Sequence, residues 1–179
     1  KFGITIMTDI AVEINKVVAD GYPDYNQYSY TANNIILFKD KTLNQWTLEL
    51  ETPMLPTGAS ISGLELYNFK ILRLNEVVFS NLSFSKATLA TSKMLYKRKL
   101  DEQKASLFEQ YQAEGKRLSI DAAEAIAKRN LADIMHAYEI SDMFYEYWEA
   151  QFQKIQLVND RLTSLNILKN HEVKVGRHV

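Results

Sequence analysis

Cysteine is absent from all 179 residues, which excludes a disulfide framework and thiolate metal sites and leaves the redox compartment open. Proline occurs three times and glycine six times, so little chain is available for phosphate-cradling loops. Histidine is limited to His136, His171 and His178, and no two of them stand at helical metal-ligand spacing. No apolar run approaches the roughly 18 residues of a membrane-spanning helix. No basic flank, apolar core and cleavage site follow one another as in a signal peptide. Net charge is also lacking, at -1. Hydrophobic residues make up 46% of the chain, enough for a core in one domain or two small ones.

The balanced total hides a segmental pattern. Residues 1–83 carry a net charge of -3, 84–117 of +4, 118–165 of -4 and 166–179 of +2. The basic segment holds Lys86, Lys93, Lys97, Arg98, Lys99, Lys104, Lys116 and Arg117. Alternating segments of this kind pair along packed helices or present a basic face to a polyanion.

Met7-Thr8-Asp9 reads as a more natural start than Lys1, so residues 1–6 are set aside as an addition. From Thr8 a short helix is expected, capped by Asp9, with Ile10, Ile14, Val17 and Val18 on one stripe. Asp20-Gly21-Tyr22-Pro23 stops it. Tyrosines at 25, 28 and 30 precede the apolar block Ile35-Ile36-Leu37-Phe38. Trp46-Thr47-Leu48-Glu49-Leu50 alternates as a half-exposed strand does, which predicts a β-hairpin turning near Lys39-Asp40-Lys41. Pro53, Pro56 and Gly58 mark the best linker. Residues 1–58 thus form a small amino-terminal region and 59–179 a helical domain.

Residues 64–94 carry two patterns. Leu64, Phe69, Leu74, Phe79, Phe84, Leu89 and Met94 recur every five residues, with Tyr67, Leu72, Val77, Leu82 and Ala87 two places before the later members. This period resembles the pentapeptide-repeat family and implies a short β-coil. Leu64, Tyr67, Ile71, Leu74 and Val78 recur instead at helical steps, and no proline or glycine interrupts Leu64–Glu114. The uninterrupted length makes a long helix the preferred reading. A connector at Glu114-Gly115-Lys116-Arg117 follows, then a helix over 119–165 capped by Ser119 or Asp121. Its seam is Leu131, Ile134, Tyr138, Ser141, Tyr145, Trp148, Phe152 and Ile155, prolonged by Leu162 and Leu165. The spacing is that of heptads. The fold class expected is mainly α: a long antiparallel helical hairpin with a small amino-terminal α/β or β element.

Catalytic templates fail. Neither Gly-x-x-x-x-Gly-Lys-Ser/Thr nor Gly-x-Gly-x-x-Gly occurs, so no phosphate loop of known form is present. His136 with Glu139 is one imidazole and one carboxylate, too few for a metal. Glu146 and Glu149 read as a solvated helix face. The expectation is a non-enzymatic protein with no cofactor and no metal.

Cations interleaved with aromatics suit single-stranded nucleic acid, because lysines neutralise phosphates and rings stack on bases. Lys93, Lys97, Arg98, Lys99 and Lys104, with Tyr96 and Phe108, are the candidates. The basic stretch 169–178 leaves the seam and reads as a helix end or a flexible arm.

The layout of 84–170 resembles phage recombination mediators of the UvsY kind: a basic helix containing Tyr96-Lys97-Arg98-Lys99, a Gly-Lys-Arg connector at 115–117, Ser119 before an alanine-rich helix start, and an aromatic helix ending in Asn159-Asp160-Arg161-Leu162-Thr163-Ser164-Leu165. That resemblance implies a small helical protein that loads recombinase onto single-stranded DNA. The composition favours assembly at least as strongly, because Phe144 and Tyr147 lie off the seam followed by Tyr138, Tyr145, Trp148 and Phe152. A homo-oligomer or protein complex is therefore expected, with Phe144, Tyr147 and Trp148 at its contact and a cytoplasmic or virion location.

Overall fold

The computed structural model describes residues 33–51 and 61–176. The helix expected from Thr8, the tyrosines at 25, 28 and 30, and the linker at 53–58 lie outside the described residues. Those described run through α1 (Leu43–Glu49), α2 (Ile61–Ala113), α3 (Ile120–Asn130) and α4 (Ala132–Gly176). The molecule is mainly helical, and its long helices pack against each other.

The turn expected near 39–41 is present, but it joins no strands. Phe38 and Lys41 form an isolated antiparallel bridge, with Lys39 at a φ of 63° in the turn. Residues 46–50, expected as a strand, belong to α1 and its carboxyl cap. A capping box decides this: Thr42 Oγ1 accepts from the Gln45 amide at 3.3 Å, and Gln45 Oε1 accepts from the Thr42 amide at 2.9 Å. Leu43, Trp46 and Leu50 are buried, at steps of three and four that suit one helix face. Lys41 pairs with Glu49 at 2.6 Å.

α2 is helical throughout, which excludes the β-coil at 64–94. Steps of five rotate a helical side chain by about 140°, so the five-residue set cannot share a face. Phe69 and Phe79 are accordingly exposed, whereas Leu64 is buried. The helical seam Leu64, Tyr67, Ile71, Leu74, Val78 continues in the same rhythm through Asn81, Ser85, Thr88, Ser92 and Leu95. Asn81, Ser85 and Ser92 are buried. The seam is a heptad repeat whose second half is small and polar.

Gly115, at φ +69°, ends α2. Lys116 N–H reaches the Tyr111 carbonyl at 2.9 Å and Gly115 N–H the Gln112 carbonyl at 3.0 Å, the two bonds of a Schellman turn. Ser119 caps α3 by accepting from the Ala122 amide at 3.2 Å. The single helix expected over 119–165 is interrupted at Leu131. Its N–H is shared between the Ala127 carbonyl at 3.1 Å and the Lys128 carbonyl at 3.3 Å, a tightened last turn. The bend keeps the α3 face of Ala123 and Ala127 buried, with Lys104 of α2 pairing to Glu124 of α3 at 3.4 Å. α4 then continues to Gly176, so residues 169–176 extend the helix and are not a flexible arm.

Two ring contacts fix the antiparallel register of α2 and α4. Phe79 meets Phe152 at 6.2 Å, and Tyr96 stacks on Tyr138 at 6.1 Å. At about 1.5 Å rise per residue on both helices, Ile71 comes level with Leu162, Val78 with Ile155, Ser85 with Trp148 and Ser92 with Ser141, each to within about a residue. All eight are buried. Small residues on α2 thus stand level with the widest ring of α4.

Candidate nucleic-acid interface

The five basic residues singled out in the sequence share α2 but not one environment. Arg98 Nε and Lys99 Nζ both hold Glu102, at 2.9 and 2.8 Å. Those hydrogen bonds, Lys99's first, pull the Glu102 carboxyl below its ordinary pKa. Lys104 is half-buried and shares Glu124 with Lys128, which sits at 2.7 Å. The bond from Lys128 is the main cause lowering the Glu124 pKa, and it raises that of Lys128 in turn. Three of the five cations are therefore engaged in ion pairs inside the chain, Arg98 and Lys99 on one carboxylate and Lys104 sharing another with Lys128. Lys93 and Lys97 are exposed and have no carboxylate at ion-pair distance among the described residues.

A third lysine joins these two. Lys86 is exposed and stands seven residues before Lys93, so Lys86, Lys93 and Lys97 lie within about 40° on the helix surface. Phe79, another seven residues earlier and 59% exposed, lies on the same line. Heptad spacing to Lys93 was the sequence signal for both. One face of α2 therefore reads ring, then three ammonium groups with no carboxylate at ion-pair distance among the described residues.

The residues expected at an assembly contact are placed differently. Phe144 and Trp148 are 3% and 0% exposed, and their cover comes from the same chain. The Phe38 ring lies 5.2 Å from Phe144 and 5.3 Å from Trp148, and Trp46 lies 5.3 Å from Trp148. Tyr147 is half-buried beside them, its hydroxyl 2.8 Å from Thr47 Oγ1. Desolvation raises its pKa. Phe144 and Trp148 are thus core, not contact, with Tyr147 at the core's edge: the amino-terminal segment 33–51 covers the face that they make. The segment is latched there by Lys39 Nζ, which donates to Asn81 Oδ1 at 2.5 Å and lies 5.2 Å from the Phe84 ring.

Away from α3, whose Glu124 holds Lys104 on the same line of α2, the opposite face of the hairpin has no such cover among the described residues. Leu82 and Leu89 of α2 and Tyr138, Tyr145 and Phe152 of α4 are only half-buried there. Tyr145 donates to Glu149 Oε1 at 3.1 Å, the main cause of its raised pKa. Leu131, Ile134, Tyr138, Tyr145 and Phe152 are seam members that the sequence placed in the core; they edge it instead. No group of His, Asp and Glu suited to a metal occurs among the described residues, and no helix there is long and apolar enough to cross a membrane. Neither a family model, nor a curated protein, nor a solved structure matches this chain.

Proposed function

We propose that this protein is a non-enzymatic helical assembly subunit, working through contacts that its hairpin makes rather than through a chemical step. The observation that carries the reading is the uncovered face just described. A two-helix ribbon buries one stripe on each helix, and among the described residues the amino-terminal segment 33–51 closes only one of the two remaining sides. Half-buried Tyr138, Tyr145 and Phe152, together with exposed Phe79, form apolar surface of the kind that marks an interaction site. Light scattering at micromolar concentration tests it. A particle heavier than the 20.6 kDa chain is expected, and a monomer that co-purifies with no partner defeats the reading.

A second reading is favoured by the lysine row: binding of single-stranded DNA, as the resemblance to phage recombination mediators implies. Lys86, Lys93 and Lys97 span about 16 Å of helix, with Phe79 as a stacking surface in line. Three neutralised phosphates give a slope of log K on log salt near -2 per chain, using about -0.7 per contact for single strands. Fluorescence anisotropy with a labelled oligonucleotide measures that slope. Binding that ignores salt, or no binding at all, removes this reading and leaves assembly standing.

A further inference from the structure

We propose that the uncovered face of the hairpin closes on the same face of a second copy, about a two-fold axis parallel to the helices, so that the lysine row of each copy meets a carboxylate row of the other. The inference rests on the assembly reading and names its partner and symmetry.

The position of each residue around its helix is set by the contacts already given. On α2, Asn81 and Phe84 point to the amino-terminal segment, whereas Phe79 and Tyr96 meet α4 from the other side. At about 100° per residue, Lys86, Lys93 and Lys97 turn with Phe79, away from that segment. On α4, Phe144, Tyr147 and Trp148 take the covered side. Asp142 and Glu149 turn with Tyr138 and Tyr145 onto the uncovered one, and Glu146 follows at its outer margin. A basic row and an acidic row thus run side by side along one open face, with half-buried apolar side chains between them. No ion pair crosses between the two rows.

The rows also overlap along the axis. In the register fixed by the ring contacts, Lys86 lies level with about residue 147 and Lys93 with about residue 140. That overlap selects the symmetry. A two-fold axis parallel to the helices preserves axial level and exchanges left for right, which sets α2 against α4 of the second copy and lysines against carboxylates. A two-fold axis across the helices at the level of the rows sets α2 on α2 and stacks lysine on lysine. Like charges exclude that arrangement, while opposite charges fix the first. Leu82, Leu89, Tyr138, Tyr145 and Phe152 fill the centre and supply the driving force, since exposed ion pairs add little affinity. The product is a four-helix bundle with antiparallel neighbours, an isologous dimer.

Charge reversal in the full chain tests this directly by sedimentation. The wild type is expected at twice the chain mass. The variant Lys86→Glu, Lys93→Glu, Lys97→Glu and the variant Asp142→Lys, Glu146→Lys, Glu149→Lys are each expected at the monomer mass with helical circular dichroism retained. An equimolar mixture of the two is expected to return to the dimer mass, because every row then faces its opposite; misfolded chains cannot do this. A wild-type monomer overturns both this proposal and the assembly reading. A wild-type oligomer whose mass neither triple variant changes overturns this face alone. A lysine variant that keeps its mass but loses oligonucleotide binding assigns the row to nucleic acid and likewise overturns the proposal.

Discussion

Trp148 shows how far single residues were legible. Its place in the seam predicted burial, and it is 0% exposed, in ring contact with Phe38, Trp46 and Tyr147. Trp148→Ala should cost on the order of 3–5 kcal/mol, measured by urea unfolding; an unchanged midpoint would place the ring outside the core. Phe144 and Tyr147 were read less well, because two helices alone leave them uncovered. Their cover, Phe38 and Trp46, sits in a segment whose period-2 alternation resembles a strand. Gly115 is legible as a helix terminator, and the structure adds the reason. Its φ is +69° and nothing lies within 4 Å of a Cβ built there, so backbone conformation alone demands glycine. Gly115→Ala is expected to destabilise by about 1–2 kcal/mol, read as a fall in melting temperature without loss of helix content.

At the scale of elements, long uninterrupted stretches were the readable ones. α2 and α4 follow from the absence of proline and glycine and from apolar steps of three and four. The polar half of the α2 seam was hidden, since Asn81, Ser85 and Ser92 look like surface. They are buried because they continue the α2 seam that faces α4, where Ser85 stands level with Trp148 and Ser92 with Ser141. α1 was missed for a local reason: Thr42-x-x-Gln45 is a capping box, and seven residues between a turn and a linker give little periodicity to weigh. Thr42→Ala should cost about 1 kcal/mol and, because α1 carries Trp46 onto Trp148, should speed amide exchange across 43–50 while α2 and α4 stay protected. Uniform protection would show that the cap does not hold the segment down.

For the whole molecule, the alternating charge segments were visible at once, but their geometry was not. Sequence could not tell that Arg98, Lys99 and Lys104 hold carboxylates while Lys86, Lys93 and Lys97 have no ion pair among the described residues. Nor could it tell that those last three lysines share an open face with Asp142 and Glu149. Those two facts give a neutral protein one side along which opposite charges are patterned. The most direct test is the distance between copies along α2. Gln112 and Ala87 are exposed and the chain has no cysteine, so Gln112→Cys and Ala87→Cys each accept one spin label per chain. With the two-fold axis parallel to the helices, both sites should give inter-copy distances below about 40 Å, since helices in such a bundle lie about 8–10 Å apart. With the axis across the helices near residue 92, the label at 112 would instead lie about 60 Å from its mate. That long distance at 112, or no coupling at either site, would contradict the four-helix dimer with its two-fold axis parallel to the helices.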